Sequence, residues 1–329
     1  MSTNNPITIQ DVYAARKRIA PYITRTPLVE APLLSEITGA KRMMLKLENL
    51  QRTGSFKPRG VANKLLSLSK EQLKRGVIAV SSGNHGRAIA YMANELGGKA
   101  VICLAEGVAK NKMQAISDLG AEIVIGGATY DEATHTMERL QKERGLSYCG
   151  SFDDPHLLAG HASVGIELLE DFPEVDTVLV PSAIGVLPIG IAIVLKRANP
   201  AVRIVAVSME RGAVLVPSLR AGKLVDYVEE PTLADALVGG LGPRPEHVIE
   251  TVSRYIDDTI LVSEDDIAAA MYFALDNLHQ VIEGAGAVGI AALLRKKTEH
   301  LGRNIAVVVS GGNVDLPVLA DIVERATSA

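Results

Sequence analysis

The chain has 329 residues, 47% hydrophobic and 22% charged, with a formal net charge of −4. Such a composition suits a globular protein with enough chain for one large core or two lobes. Mild acidity, four Phe, eight Tyr and no Trp leave neither the basic face nor the stacking rings of a nucleic-acid binder, and no basic surface for anionic lipid.

The first residues, Met1-Ser-Thr-Asn-Asn-Pro-Ile7, lack the basic start and apolar run of a secretory signal. Cys103 and Cys149 are far apart and follow no metal-ligand spacing, so both read as structural thiols of a cytoplasmic protein. A short strand is expected over 43–50, broken by Gly54 in the run Gln51-Arg-Thr-Gly-Ser-Phe-Lys57-Pro-Arg-Gly60. Pro58 suits the first turn of a helix, which places Lys57 where that helix begins. A lysine there faces the positive end of the helix dipole, which disfavours its ammonium form. A neutral lysine amine attacks aldehydes to form a Schiff base. The alternative is a solvated surface charge.

Downstream, short Val/Ile/Ala runs alternate with helical patterns, the signature of a parallel α/β sheet. Strands are expected at 77–80, 100–104, 122–125, 177–180, 204–207 and 304–309. Helices are expected at 60–68, 86–96, 110–119, 130–144, 161–169, 188–198, 265–278 and 285–294. The uncharged stretch 177–195 approaches bilayer-spanning length, but Pro181, Gly185, Pro188 and Gly190 divide it into strand, turn and buried helix.

Open α/β sheets place ligands beyond the carboxyl ends of their strands, so the turns after strands carry the chemistry. Ser81-Ser-Gly-Asn-His-Gly86 offers backbone N–H groups and the side chains of Ser81, Ser82 and Asn84 to an anion; a simple capping turn is the alternative. His85 reads there as a loop hydrogen-bonder. Pro181-Ser-Ala-Ile-Gly-Val-Leu-Pro188 is positioned as a phosphate cradle, yet its single Gly185 suits packing better. Ser310-Gly-Gly-Asn-Val-Asp315 presents a neutral hydroxyl, and Glu283-Gly-Ala-Gly-Ala287 a carboxylate at a helix start, where it can also be a dipole-stabilised cap. A reactive lysine, a carboxylate-sized anion turn, a phosphate turn and a neutral hydroxyl together describe a site for pyridoxal phosphate holding an amino acid.

In their order, SFKPRG, SSGNHG, EGAGA and SGGN resemble the fold-type II pyridoxal-phosphate enzymes of the threonine/serine dehydratase and serine racemase group, over about residues 8–325. The resemblance implies a two-lobed α/β fold like the tryptophan synthase β chain, with a parallel-sheet sandwich in each lobe. Residues 1–59 and 151–329 would form a large cofactor-binding domain, and 60–150 a small domain for the substrate carboxylate. Lys57, beside Phe56, would carry the cofactor as a Schiff base and later move the Cα proton. Asn84 would bond the ring hydroxyl. Ser81, Ser82, Gly83, Asn84 and His85 would hold the substrate carboxylate, Ser82 standing where racemases keep an opposite-face acid/base. Ala183, Ile184, Gly185, Val186 and Leu187 would take the phosphate; Glu283, Ser310 and Gly311 would face the ring.

The same resemblance implies β-elimination of a small hydroxy amino acid to a 2-oxo acid and ammonia, by a cytoplasmic homodimer with no nucleic-acid or membrane partner. Met209–Gly212 (MERG) and EGAGAVG are similar to dehydratases found with hydroxyectoine catabolism, which would act on a larger hydroxy acid. A serine racemase and a cofactor-poor, non-catalytic relative are the other readings. Two departures stand out: the group's four-glycine phosphate loop is Ala183-Ile-Gly-Val186 here, and Ser208 replaces its cation-binding acid, with Glu210 shifted by two, leaving the metal unassigned. The chain stops soon after its last helical pattern, so no regulatory domain and no end-product feedback are expected.

Overall fold

The structure, a computed structural model, describes residues 7–150, 154–228, 230–239, 245–295 and 301–328. In chain order its strands are β1 (Leu28–Glu30), β2 (Arg42–Leu47), β3 (Val77–Val80), β4 (Ala100–Leu104), β5 (Glu122–Ile125), β6 (Ser147–Tyr148), β7 (Thr177–Pro181), β8 (Arg203–Met209), β9 (Asp258–Val262) and β10 (Asn304–Val309). They form two sheets, ordered β5-β4-β3-β6 and β1-β2-β10-β7-β8-β9. Every pairing is parallel except β1 with β2. The chain divides into two compact units, Met1–Thr24 with Phe56–His161, and Arg25–Ser55 with Ala162–Ala329. This is a two-lobed α/β protein built on parallel sheets.

In the first unit, β3 and β4 are apolar on both faces because helices cover both. Val77, Ala79 and Ile102 pack with Ile89 and Met92 of the helix Asn84–Glu95. Ile78, Val101 and Cys103 point the other way, toward Met137 and Leu140 of the helix Tyr130–Arg144. The turn after β3 therefore leaves the middle of a fixed sheet.

In the second unit, β2, β10 and β7 are neighbours in register, Val309 opposite Leu47 and Val307 opposite Leu179. Their carboxyl ends release three turns from one sheet edge: 48–55, 310–313 and 182–185. The helix Gly284–Leu294 is buried along almost its whole length, and its small residues permit close approach; a Cβ on Gly286 would lie 2.5 Å from Gly311 O. Within the core, Lys46 Nζ sits 2.5 Å from Glu167 Oε2 and donates to Thr26 O at 2.7 Å. Both charges are buried, and removing one partner would cost about 3–5 kcal/mol.

Two expected elements change in extent, and the uncharged stretch resolves as expected. The strand over 43–50 ends at Leu47, because Glu48 turns inward to accept the Thr26 hydroxyl at 2.5 Å and the chain continues in 3₁₀ turns. The helix over 161–169 is two helices, Pro155–His161 and Ser163–Asp171, parted where the chain passes from one unit to the other. The uncharged stretch is β7, a turn and the helix Val186–Ala198; among the described residues no helix is long and apolar enough to cross a membrane.

Candidate active site

Lys57 opens the helix Lys57–Leu65, as Pro58 in the first turn predicts, its missing N–H removing no bond there; the expected span 60–68 lies three residues too late. The lysine is half-buried, and its Nζ lies 4.8 Å from the Phe56 ring centroid. That ring meets His161 edge-on, with centroids 4.8 Å apart and planes at 61°. One turn along the helix, Gly60 makes room for the imidazole; a Cβ there would collide with His161 Cε1 and Nε2. His161 is buried, and its Nδ1 has no hydrogen-bond partner.

A second imidazole belongs to this group. His85 Nε2 is 3.0 Å from Cys149 O. A carbonyl only accepts, so Nε2 carries the hydrogen and Nδ1 is left as a buried acceptor with no partner. Burial, aided by the Lys57 charge, pushes His85 down to about 4. His161 is held well below the ordinary histidine range by burial, then by Lys57, His85 and Arg59. Both rings stay neutral at neutral pH and do not compete with Lys57 for a proton. The Cys149 thiol is pushed up to about 12 by burial, which makes it inert.

The turn Ser81–Gly83 leads from β3 into the helix Asn84–Glu95. Gly83 is the N-cap, without a side-chain cap, and a Cβ on it would meet nothing within 4 Å. The first N–H groups of a helix have no intrahelical acceptor, so an open, uncapped start accepts an anion. Ser81 and Ser82 are half-buried and Asn84 and His85 buried. Ser81 Oγ takes the Gly86 N–H at 3.2 Å, which folds the turn back on itself.

In the second unit, Glu283 is the buried N-cap of the helix Gly284–Leu294. Its Oε2 accepts the Asn313 N–H at 3.0 Å, and its N–H donates to Gly311 O at 3.2 Å. A Cβ on Gly311 would collide with Glu283 Oε1. Ser310 is buried, its hydroxyl 3.5 Å from Ala285 O. Ser55, two residues before Lys57, bridges Gly311 and has a buried hydroxyl without a partner.

The turn after β7 holds Ala183 and Ile184 half-buried and Gly185, Val186 and Leu187 buried. Its helix starts at Val186 rather than at Pro188, with Gly185 as N-cap at φ 87°. Pro188 is then the third helical residue, still a position whose N–H lacks an intrahelical acceptor. The Ser182 hydroxyl is buried without a partner. At the end of β8, Ser208 is buried with its hydroxyl 3.4 Å from Met209 Sδ, and Glu210 is exposed. No metal-ligating group of three or more His, Cys, Asp or Glu occurs among the described residues.

Sequence reasoning missed His161, Gly54 and Asn313. The first was visible only as a helix residue, and the contacts of the other two close over 260 positions of chain.

The family model for pyridoxal-phosphate dependent enzymes matches residues 19–311. The chain is 38% identical to the L-threonine ammonia-lyase of Thermotoga maritima, over 97% of this chain and 79% of that one. It is 36% identical to a catabolic L-threonine dehydratase of Staphylococcus aureus, over 99% and 94%. The structure superimposes on that of maize serine racemase with a TM-score of 0.91 at 31% identity, covering 98% and 99% of the two chains.

The residues present suit that cofactor. The unpartnered Ser182 hydroxyl beside an uncapped helix start is the kind of donor a phosphate oxygen satisfies. Only Gly185 of the turn takes a positive φ, so Ala183, Ile184 and Val186 occupy it without backbone strain.

Proposed function

The chain belongs to the pyridoxal-phosphate dependent enzymes, and on that premise we propose that it removes the β-hydroxyl of a small hydroxy amino acid, threonine or serine, to give a 2-oxo acid and ammonia. Bound pyridoxal phosphate supplies an aldehyde and an electron sink for charge that develops at Cα. Lys57 is the residue that links to the aldehyde. Its Nζ would also take the Cα proton, acting as general base. The neutral His85 and His161 leave that proton on Nζ.

We assign the substrate carboxylate to Ser81, Ser82, Gly83, Asn84 and His85, where the uncapped helix start supplies N–H donors. Asn84 also bonds the ring hydroxyl. The phosphate belongs to the Ala183–Leu187 turn with Ser182, and the ring to Phe56, Glu283, Ser310 and Gly311. The Ser310 hydroxyl, neutral, would withhold from the cofactor ring the full charge a carboxylate would stabilise. That favours prompt departure of the β-hydroxyl over return of the proton to Cα. As the C–O bond breaks, the β-hydroxyl would leave as water with the proton that Nζ took from Cα, and the released enamine hydrolyses to the 2-oxo acid and ammonia. We place the enzyme in the cytoplasm, as its free, buried Cys103 and Cys149 suit, and assign it a homodimer as in the resembled group.

The observation that carries the reading is Lys57 at a helix start, beside two imidazoles held neutral. Incubation with L-threonine and with L-serine, followed by assay of 2-oxo acid and ammonia, tests it. The wild type should form both products, and Lys57→Ala should lower turnover by about 10²–10⁴-fold. Conversion of L-serine to its enantiomer with no 2-oxo acid would contradict elimination and favour the racemase reading through Ser82.

A further inference from the structure

Four residues before Lys57 the backbone takes a conformation that β-branched residues avoid: Thr53 has φ 63° and ψ 11°. Its hydroxyl is buried without a partner, so no local bond repays the strain. A left-handed threonine persists only where its surroundings hold it. Here the holder is Asn313. Its Nδ2 donates to Thr53 O at 2.8 Å. Its Oδ1 fills the space next door, where a Cβ on Gly54 would come within 2.7 Å. Gly312 N donates to Gly54 O at 2.9 Å, and the next residue, Ser55, bridges Gly311. On its other side the Asn313 N–H is bound to Glu283 Oε2 at 3.0 Å. One residue thus ties together the segment that runs into Lys57, the Ser310–Gly311 turn and the Glu283 carboxylate.

We propose that Asn313 is a positioning residue for Lys57, holding Thr53 left-handed so that the chain enters the lysine helix in one direction. The inference rests on the reading of Lys57 as the cofactor-linking residue. If Thr53 relaxed to an ordinary β or right-handed conformation, the chain direction would change four residues before the reacting amine. Such a change alters the rate and geometry of linkage, beyond any effect on stability.

The test adds pyridoxal phosphate to apoprotein and follows the visible absorption band of lysine-linked cofactor, its circular dichroism and the Tm. Asn313→Ala should slow linkage about tenfold, the equivalent of strain at the low end of its usual range, and weaken the dichroic band. Thr53→Gly alone should remain within about twofold of wild type, because glycine takes φ 63° without restraint. The double variant should regain most of the lost rate. Asn313→Asp keeps the shape and turns the donor to Thr53 into a carboxylate oxygen that repels the Thr53 carbonyl, and gives the same reading should the alanine variant not fold. Wild-type rate and dichroism in Asn313→Ala, or a double variant as slow as the single one, would overturn the proposal while leaving the functional reading intact. A wild-type protein that never develops the band would overturn the functional reading and this inference with it.

Discussion

In the first unit, the turn before the helix Asn84–Glu95 places Gly83 where an added Cβ would meet nothing within 4 Å. In the second, the turn before the helix Val186–Ala198 places Gly185 at φ 87°, where the same atom would lie 2.5 Å from Val252 Cγ2. Both are strand–turn–helix junctions, yet the glycines serve opposite ends. Gly83 keeps a helix start open to whatever approaches it; Gly185 satisfies a left-handed backbone and a packed neighbour. The turn proposed for the phosphate therefore carries a single glycine without strain, because only its one left-handed position requires one. Among the described residues only Thr53 and His279 are non-glycine with positive φ, and neither lies in this turn.

That contrast can be broken or sharpened by experiment. The largest effect expected belongs to His85, in the first turn of the helix that Gly83 caps. Its folded pKa of about 4 lies below the ordinary 6.5, so between those values the unfolded chain binds the extra proton. Stability is level above pH 6.5 on this account and falls by about 3 kcal/mol as pH drops from 6.5 to 4. Denaturant melts across that range should show the loss, and His85→Asn should make it shallower by His85's share while that of His161 remains; an unchanged slope in the variant would assign the acid sensitivity elsewhere.

Next comes Gly185→Ala, which meets both the left-handed backbone and Val252 and should lose about 1–3 kcal/mol of stability, seen as a lower Tm. By contrast Gly83→Ala should stay within about 0.5 kcal/mol of wild type, while raising the KM for the amino acid as its methyl enters the open helix start. Equal destabilisation by the two substitutions would erase the distinction between the turns. The smallest effect is expected from Ile184→Gly. With no positive φ to relieve, it should leave the pyridoxal phosphate Kd within about twofold; a markedly tighter complex would mean that the glycine-poor turn does weaken binding.

Much of the architecture was legible in the chain because buried parallel strands are continuous apolar runs. Val77–Val80, Ala100–Leu104, Glu122–Ile125 and Asn304–Val309 carry the expected bounds. The strands Leu28–Glu30, Ser147–Tyr148 and Asp258–Val262 are edge strands, short or partly polar, and leave no such run. Helix starts differ by a few residues: the helix expected at 60–68 begins at Lys57, and Pro188, expected first in its helix, stands third. The turns themselves were readable from Ser, Gly and Asn clusters after apolar runs. What those clusters hid was long-range. Nothing local shows that Gly60 exists for the His161 ring, that His85 Nδ1 is stranded, or that Asn313 reaches Thr53.

The reaction assigned to this chain requires one amine, at residue 57, to react with the cofactor aldehyde. Borohydride reduction of cofactor-loaded protein, followed by proteolysis and mass spectrometry, tests this directly. The account predicts one pyridoxyl-modified peptide, with the added mass on Lys57. An unmodified Lys57, or the adduct on another lysine, would contradict it.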